Sequence, residues 1–148
     1  MVNRPAEASR SRKHVAVEED ATKLQFGDFL SGDALTATDV KTLLQAARIG
    51  RGDIPLPDNK IYRAAVAYVD EFANLPVETI ESMRNEITSH GAFLNKFEVA
   101  QILQLQPADR GTAVALIPSL ERFDKEEDLA LLSQILDNVR NIARYGST

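Results

Sequence analysis

The chain has 148 residues, 44% of them hydrophobic and 26% charged, values that suit one globular domain with a sizeable core. Its net charge of −5 is unevenly distributed, because residues 1–17 carry +3 and the remainder carries −8. Phosphate neutralisation supplies most non-specific affinity for nucleic acids, so this acidic body is a poor candidate for gripping DNA or RNA by itself. The absence of cysteine excludes a disulfide framework, a thiolate nucleophile and a zinc knuckle.

The start of the chain is polar and contains arginine, so it lacks the apolar core of a signal peptide. No apolar run in the sequence is long enough to span a bilayer, and we expect no membrane association. Residues 1–17 are predicted to form a disordered basic tail, because termini are usually disordered. Contact with phosphate and a role in localisation are the alternatives for this tail.

An apolar segment follows the tail. Leu24, Phe26 and Phe29 alternate only in part with polar residues, and Gly27 breaks any helix, so the segment is predicted to be extended. A lone apolar strand in a helical chain is a liability unless another protein's sheet completes it. Two interpretations stay open: an arm that adds a short strand to a partner sheet, and an arm packed on the chain's own helices.

The first two helices are predicted from caps and periodicity. Thr36 or Thr38 can cap a helix that ends near Arg48. A loop rich in Gly and Pro separates it from a second helix that begins near Asp58. The inward face of the first helix comprises Val40, Leu43, Leu44 and Ala47, and that of the second comprises Tyr62, Ala65, Val66, Val69, Phe72 and Ala73.

A third helix and a last helix are predicted on either side of the central segment of the sequence. Pro76 precedes the third helix, which is expected to close at Gly91 with a left-handed cap. The last helix begins with the acidic run Asp124 to Asp128, where the positive end of the helix dipole favours negative charge. The predicted buried stripes are Ile80, Met83 and Ile87 in the third helix, and Leu129, Leu132, Ile135, Leu136, Val139 and Ile142 in the last.

Between them, the sequence predicts a buried helical hairpin. Asn95 and Glu98 have the spacing of a capping box, and Pro107 and Pro118 end the two helices. We expect Glu98 to act as a cap with no chemical role. The residues assigned to the structural core are Phe97, Leu103, Leu116, Ile117 and Leu120.

No set of residues has the spacing of a catalytic or metal site. His14 and His90 are far apart, and neither is expected to have a companion ligand one helical turn away. Ser119 follows a proline and lacks the Gly-x-Ser-x-Gly elbow of a hydrolase. An enzyme needs a nucleophile, a base or a metal held together, so the sequence predicts no catalytic residue, no metal and no cofactor.

Several short motifs in one order carry a resemblance to a known family. They are Val17-Glu18-Glu19-Asp20-Ala21, then Lys96-Phe97-Glu98 with Ala100, Leu105 and Pro107, then Ala115-Leu116-Ile117-Pro118-Ser119-Leu120, and finally Gln134-Ile135-Leu136-Asp137. Together they resemble the family of the fourth subunit of RNA polymerase II, the smaller partner in the stalk heterodimer. The resemblance covers the chain from about residue 17 to its end.

The resemblance implies an all-α fold, with an HRDC-like helical bundle at residues 76–148 and an extended N-terminal arm and helices at residues 18–75. It implies a non-catalytic subunit of DNA-directed RNA polymerase II in the nucleus, which supports transcription initiation and nascent RNA handling. The implied partners are the larger, OB-fold-containing stalk subunit and the polymerase core, with RNA contacted only indirectly. The expected partner-binding residues are Leu24, Phe26, Phe29, Val40, Leu43 and Leu44.

The alternative function is a helical nucleic-acid-binding or adaptor module of HRDC type that acts outside polymerase. The acidic balance of the body disfavours nucleic-acid binding. The chain also departs from the family pattern, with Gly111-Thr112 where an acidic pair is common and Phe72-Ala73-Asn74-Leu75-Pro76 where an aromatic, basic cluster is common. Contacts made by those family side chains do not transfer to this chain.

Overall fold

The computed structural model describes residues 19–146, and the regular structure in that range is entirely helical, which confirms the all-α prediction. The predicted disordered tail, residues 1–17, lies outside the described residues. No helix within residues 19–146 is long and apolar enough to cross a membrane. The helices are α1 (Ala37–Gly50), α2 (Lys60–Phe72), α3 (Val77–Ser89), α4 (Lys96–Leu105), α5 (Arg110–Leu116) and α6 (Glu126–Tyr145), with 3-10 turns at Gly27–Phe29 and Pro118–Arg122.

Capping boxes define where two helices begin. At α4, the Asn95 side chain accepts from the backbone of its first turn while the Glu98 carboxylate accepts from the Asn95 N–H at 2.9 Å, so the predicted box is confirmed. At α1, Thr36 and Asp39 form the same reciprocal pair. Each box satisfies N–H groups that a helix start leaves without an intrahelical partner.

The core lies among α3, α4, α5 and α6, and α3 and α6 pack along each other. α4 buries one stripe on this core and ends where Gln106 adopts a left-handed conformation with φ of 48°. The buried apolar side chains are Ile80, Met83, Ile87, Leu94, Val99, Ile102, Leu103, Ala113, Ile117, Leu120, Leu132, Ile135, Leu136 and Val139.

The α1–α2 hairpin is much less buried than the bundle. Thr38 is the one buried residue of α1, and Val69 is the one buried residue of α2. The predicted inward face of α2 is therefore wrong at Ala65 and Phe72, which are exposed. α2 packs chiefly on α1, and a two-helix layer leaves half of each helix uncovered.

Two further predictions differ from the structure. Phe97 and Leu116, assigned to the core, are 36% and 48% exposed. The arm is not extended throughout, because Gly27, with φ of +52°, opens a 3-10 turn that ends at Phe29. Glycine tolerates this positive φ without the steric cost that a side chain would impose, so the turn forms where a strand was expected.

Candidate partner-binding face

Phe97 is a partly exposed aromatic residue in the first turn of α4. Its ring meets the edge of Phe26 with 5.6 Å between ring centroids and 60° between ring planes. This is the edge-to-face arrangement that aromatic pairs prefer. The contact attaches the arm to α4, so the structure favours an arm that packs at least in part on the chain's own helices.

A cleft of about 270 Å³ lies between the arm and the end of α5. Leu24 and Phe26 line it from the arm, while Phe97, Leu116 and Pro118 line it from the helices. Leu116 occupies the last position of a seven-residue helix, where its side chain reaches this cleft in preference to the core. An apolar side chain that keeps nearly half its surface in water is available to a partner.

A second cleft, of about 420 Å³, lies between the arm, α1, α2 and α4. Its apolar lining includes Leu35, Val40, Tyr68 and Phe97, and Phe97 joins it to the arm cleft. We use the term apolar face for the side chains that line these two adjoining clefts: Leu24, Phe26, Leu35, Val40, Tyr68, Phe97 and Leu116.

The residues expected to bind a partner are only partly brought together. Leu24, Phe26 and Val40 belong to the apolar face, and Phe29, 82% exposed, lines a neighbouring cleft with Phe26 and Phe97. Leu43 is 55% exposed on α1. Leu44 lines a separate cleft between α1 and α2.

Sequence reasoning missed Leu35, Tyr68, Phe97 and Leu116 as members of this face. The signal for Phe97 was present, since positions four and seven residues later on the same helical face are Gln101 and Gln104. A face that continues as polar residues does not point into a core. No comparable signal distinguishes Leu116 from Ile117. They are neighbours at the end of α5, and which of the two is buried depends on how the helix is rotated about its axis.

Gln104 connects the hairpin to the bundle. Its Oε1 accepts from the Ala37 N–H at 2.9 Å, and its Nε2 donates to the Phe72 carbonyl at 3.1 Å. One side chain therefore satisfies the start of α1 and the end of α2. Thr38 adds a hydroxyl bond to the Leu75 carbonyl at 3.1 Å.

An ion pair fastens α1 to α3. Arg84 Nη2 lies 2.7 Å from Asp39 Oδ2 in the α1 capping box. Burial alone would raise the pKa of Asp39, but bonds from Thr36 and Arg84 outweigh it and lower the pKa below its ordinary value. Asp39 therefore stays ionised and holds both the cap and the pair.

A second ion pair fastens the arm to α4. Lys96 Nζ lies 2.6 Å from Asp33 Oδ1, and this hydrogen bond is the main cause of the lowered pKa of Asp33. Both side chains are exposed, so the pair orients the arm more than it stabilises the fold.

Glu98 is fully buried beneath this surface and does more than cap α4. Its carboxylate accepts from the Ser119 hydroxyl at 2.6 Å and from both terminal nitrogens of Arg122. Burial would raise the pKa of Glu98, but the Arg122, Ser119 and Asn95 donors lower it overall. The expected capping role of Glu98 is therefore present, and its carboxylate also binds donors from the segment that follows α5.

Arg122 connects this cluster to an aromatic pair. Its guanidinium lies 4.2 Å from the centroid of the Phe123 ring, which stacks on Phe93 with 4.3 Å between ring centroids. The cluster joins the start of α4 to the turn after α5. Donors from the protein itself thus occupy both carboxylate oxygens of Glu98, which indicates that the cluster has a structural role.

The expectation that His90 has no companion ligand one helical turn away is wrong. Its Nε2 lies 3.5 Å from Oε1 of Glu86, four residues earlier, and Asn138 donates to the same oxygen at 2.6 Å. Within residues 19–146, no three His, Asp or Glu side chains are grouped so that they could hold a metal ion. His14 lies outside the described residues.

Comparison with known proteins places this arrangement in a family. The model of the family described as RNA polymerase Rpb4 matches residues 14–143. The chain belongs to this family. The Rpb4 match spans the arm, the apolar face and the Glu98 cluster, so these features lie within the family domain.

A curated relative agrees with the family match. The chain is 26% identical over 153 aligned positions to the DNA-directed RNA polymerase II subunit rpb4 of Dictyostelium discoideum. The alignment covers 90% of this chain and 95% of the relative. The two proteins are therefore similar along nearly their whole lengths.

Proposed function

We propose that this chain is a non-catalytic subunit of RNA polymerase II that pairs one to one with the larger stalk subunit. Membership of the Rpb4 family and the similarity to a polymerase II subunit support the assignment to the polymerase. The single observation that carries the pairing is the apolar face, two adjoining clefts centred on Phe97. The pair acts in the nucleus, docks on the polymerase core and supports initiation and nascent RNA handling.

The apolar face supplies the means of pairing. Partly exposed aromatic and aliphatic side chains lie around two concave surfaces, and their burial by a partner is favourable at about 25 cal/mol per Å². Aromatic residues in such pockets are the usual carriers of binding energy at interfaces. Phe97 and Tyr68 are the candidates for that role.

The proposed contact surface extends beyond the part of the chain that the sequence predicts to contact the partner. Residues 18–75 were expected to contact the partner, and residues 76–148 to form the bundle. Phe97 and Leu116 extend the contact surface into the second part. The partner is then held by the arm, the α1–α2 hairpin and the bundle together.

The acidic body of the chain is consistent with an indirect role in RNA handling. The acidic balance after residue 17 disfavours direct RNA contact, so RNA reaches the stalk through the larger subunit. The OB-type domain implied for that subunit is a fold that binds single strands on aromatic and basic surfaces.

Co-expression with the larger stalk subunit tests the pairing. We expect a stable one-to-one complex by size-exclusion chromatography with light scattering, and Phe97→Asp or Leu116→Asp should weaken it by at least about tenfold. Ile54→Asp, at an exposed apolar position away from the face, is the matched control. No complex with the unaltered chain, or equal pairing by all three variants, would refute the proposal.

A further inference from the structure

The free end of the α1–α2 hairpin differs in charge from the rest of the chain. Residues 48–63, here called the hairpin tip, contain four basic and two acidic side chains, although the whole chain carries −5. Within residues 19–146, Arg63 pairs with Asp58 at 2.5 Å, whereas Arg48, Arg51 and Lys60 make no ion pair. Three cations therefore remain available in the hairpin tip.

The hairpin tip also exposes isoleucine. Ile49, Ile54 and Ile61 are 81%, 61% and 83% exposed. Backbone bonds from Gly52 to Ile49 and from Ile54 to Arg51, both 3.2 Å, fold the turn that presents them. Grouped exposed apolar side chains with a charged rim are typical of protein interaction sites.

A cleft that runs along the α1–α2 hairpin and reaches the hairpin tip offers a pocket for one side chain. It measures about 150 Å³, and its lining combines apolar Leu44, Leu56 and Val66 with Arg48 and with Lys41 and Asp70, which pair with each other. A cleft of this volume has room for one apolar side chain. The hairpin tip thus combines a partly apolar cleft that has Arg48 in its lining with further cations and exposed isoleucines in the same segment.

We propose that the hairpin tip binds an acidic amphipathic peptide segment of another protein, in which Asp and Glu alternate with Leu or Phe. The acidic side chains face Arg48, Arg51 and Lys60, and one apolar side chain enters the cleft between α1 and α2. Charge complementarity sets the choice of partner and its rate of association. The exposed isoleucines extend the apolar contact beyond the pocket.

This surface is separate from the apolar face proposed for stalk pairing. The hairpin meets the bundle where Gln104 contacts Ala37 and Phe72, at the opposite end of both helices. A helix with the length of α1 spans roughly 20 Å. The hairpin tip therefore stays accessible when the apolar face is covered.

The chemistry of the hairpin tip favours a peptide over RNA or lipid. Single-stranded RNA binds where aromatic rings stack on bases, and the one aromatic residue in this segment, Tyr62, is half-buried against the cleft. A lipid surface needs only charge and exposed apolar groups, whereas the cleft between α1 and α2 is suited to a single inserted side chain.

Fluorescence anisotropy with the full chain tests the proposal. The probe is a labelled 15-residue peptide, about 50 Å long when extended, in which Leu and Phe alternate with Asp and Glu so that its two faces are apolar and acidic. The comparison probes are a peptide of equal charge without apolar residues, an oligouridine of equal length, and vesicles containing phosphatidylserine. We expect saturable binding of the amphipathic peptide that weakens as salt rises.

Variants locate the binding. Arg48→Glu combined with Arg51→Glu should weaken peptide binding by about tenfold or more, and Ile54→Ser combined with Ile61→Ser should weaken it to a similar degree. Arg110→Glu, an exposed cation outside the hairpin tip, should leave it within about twofold. All substituted side chains are exposed, and an unchanged melting temperature verifies that each variant is folded.

Several outcomes would overturn the proposal. They are no binding of the amphipathic peptide, binding that ignores both tip variants, equal binding of the peptide that lacks apolar residues, or a tip-dependent preference for oligouridine or vesicles. The proposal does not depend on stalk pairing. Repeating the titration with Leu116→Asp separates the two, since that variant should lose pairing and keep peptide binding.

Discussion

Glu98 and Arg122 lie 24 residues apart and are joined at two points, with one of the two contacts, Nη2 to Oε2, measuring 2.7 Å. Glu98 is fully buried, whereas Arg122 is 42% exposed, so the pair extends from the core to the surface. The Ser119 hydroxyl and the Asn95 N–H complete the set of donors. A buried carboxylate is tolerated only because it is fully hydrogen-bonded.

Glu98→Gln should destabilise the protein by about 1–3 kcal/mol, since Gln keeps the capping bond but places a neutral amide among donors arranged for a carboxylate. Chemical denaturation at pH 7 measures the change. Glu121→Gln, at an exposed carboxylate next to Arg122 in the sequence, serves as the control and should change stability by less than about 0.5 kcal/mol. If Glu98→Gln leaves the free energy of unfolding unchanged, only the capping bond of Glu98 contributes to stability.

The lowered pKa values of two carboxylates, Glu98 and Asp39, predict that the stability of the fold depends on pH. Because the folded-state pKa values of Glu98 and Asp39 are lowered, their stabilisation is fully present above the unfolded pKa values, about 4.3 and 3.9. It is lost as the pH falls through the folded values. The stability difference between the unaltered chain and Glu98→Gln should therefore narrow below about pH 4.5. A urea unfolding series from pH 7 to pH 3 measures this difference, and a constant gap would contradict the assignment.

Leu103 and Leu116 should respond differently to truncation. Leu103 is fully buried, so Leu103→Ala should cost about 2–5 kcal/mol, whereas half-exposed Leu116 should cost about 1 kcal/mol or less when changed to Ala. Thermal and urea unfolding of both variants provide the test. Equal losses at the two positions would restore Leu116 to the core.

The Gln104 contacts predict how the α1–α2 hairpin separates from the bundle. Gln104→Ala removes two bonds to the ends of α1 and α2, so amide exchange in both helices should accelerate by about tenfold while α6 is unaffected. Gln101→Ala, on the same helix, is the control. Uniform acceleration across all helices would show that hairpin and bundle unfold as one unit.

The charge distribution predicts weak RNA binding. The body after residue 17 carries −8, so an oligouridine should bind the full chain with a dissociation constant above about 1 µM at physiological salt. A variant with Arg4, Arg10, Arg12 and Lys13 changed to Ser reports any contribution of the tail. Sub-micromolar binding with a steep salt dependence would favour the nucleic-acid module instead.

The sequence by itself determined the local structure. The Asn95 capping box, the proline that ends α4 and the apolar stripes of α3 and α6 depend on residues three or four positions apart, and such contacts are decided within one helical turn. The family resemblance came from ordered motifs of the same local kind. These signals were enough for the all-α fold.

Only the tertiary structure decided which apolar residues face water. Phe97 and Leu116 have the composition of a core, but their exposure depends on how far α4 and α5 are rotated against the bundle and on where the arm lies. The pairing of Glu98 with Arg122 and the two contacts of Gln104 join residues 24 to 67 positions apart. Local periodicity carries no information about such distances, because they are set by the packing of whole helices.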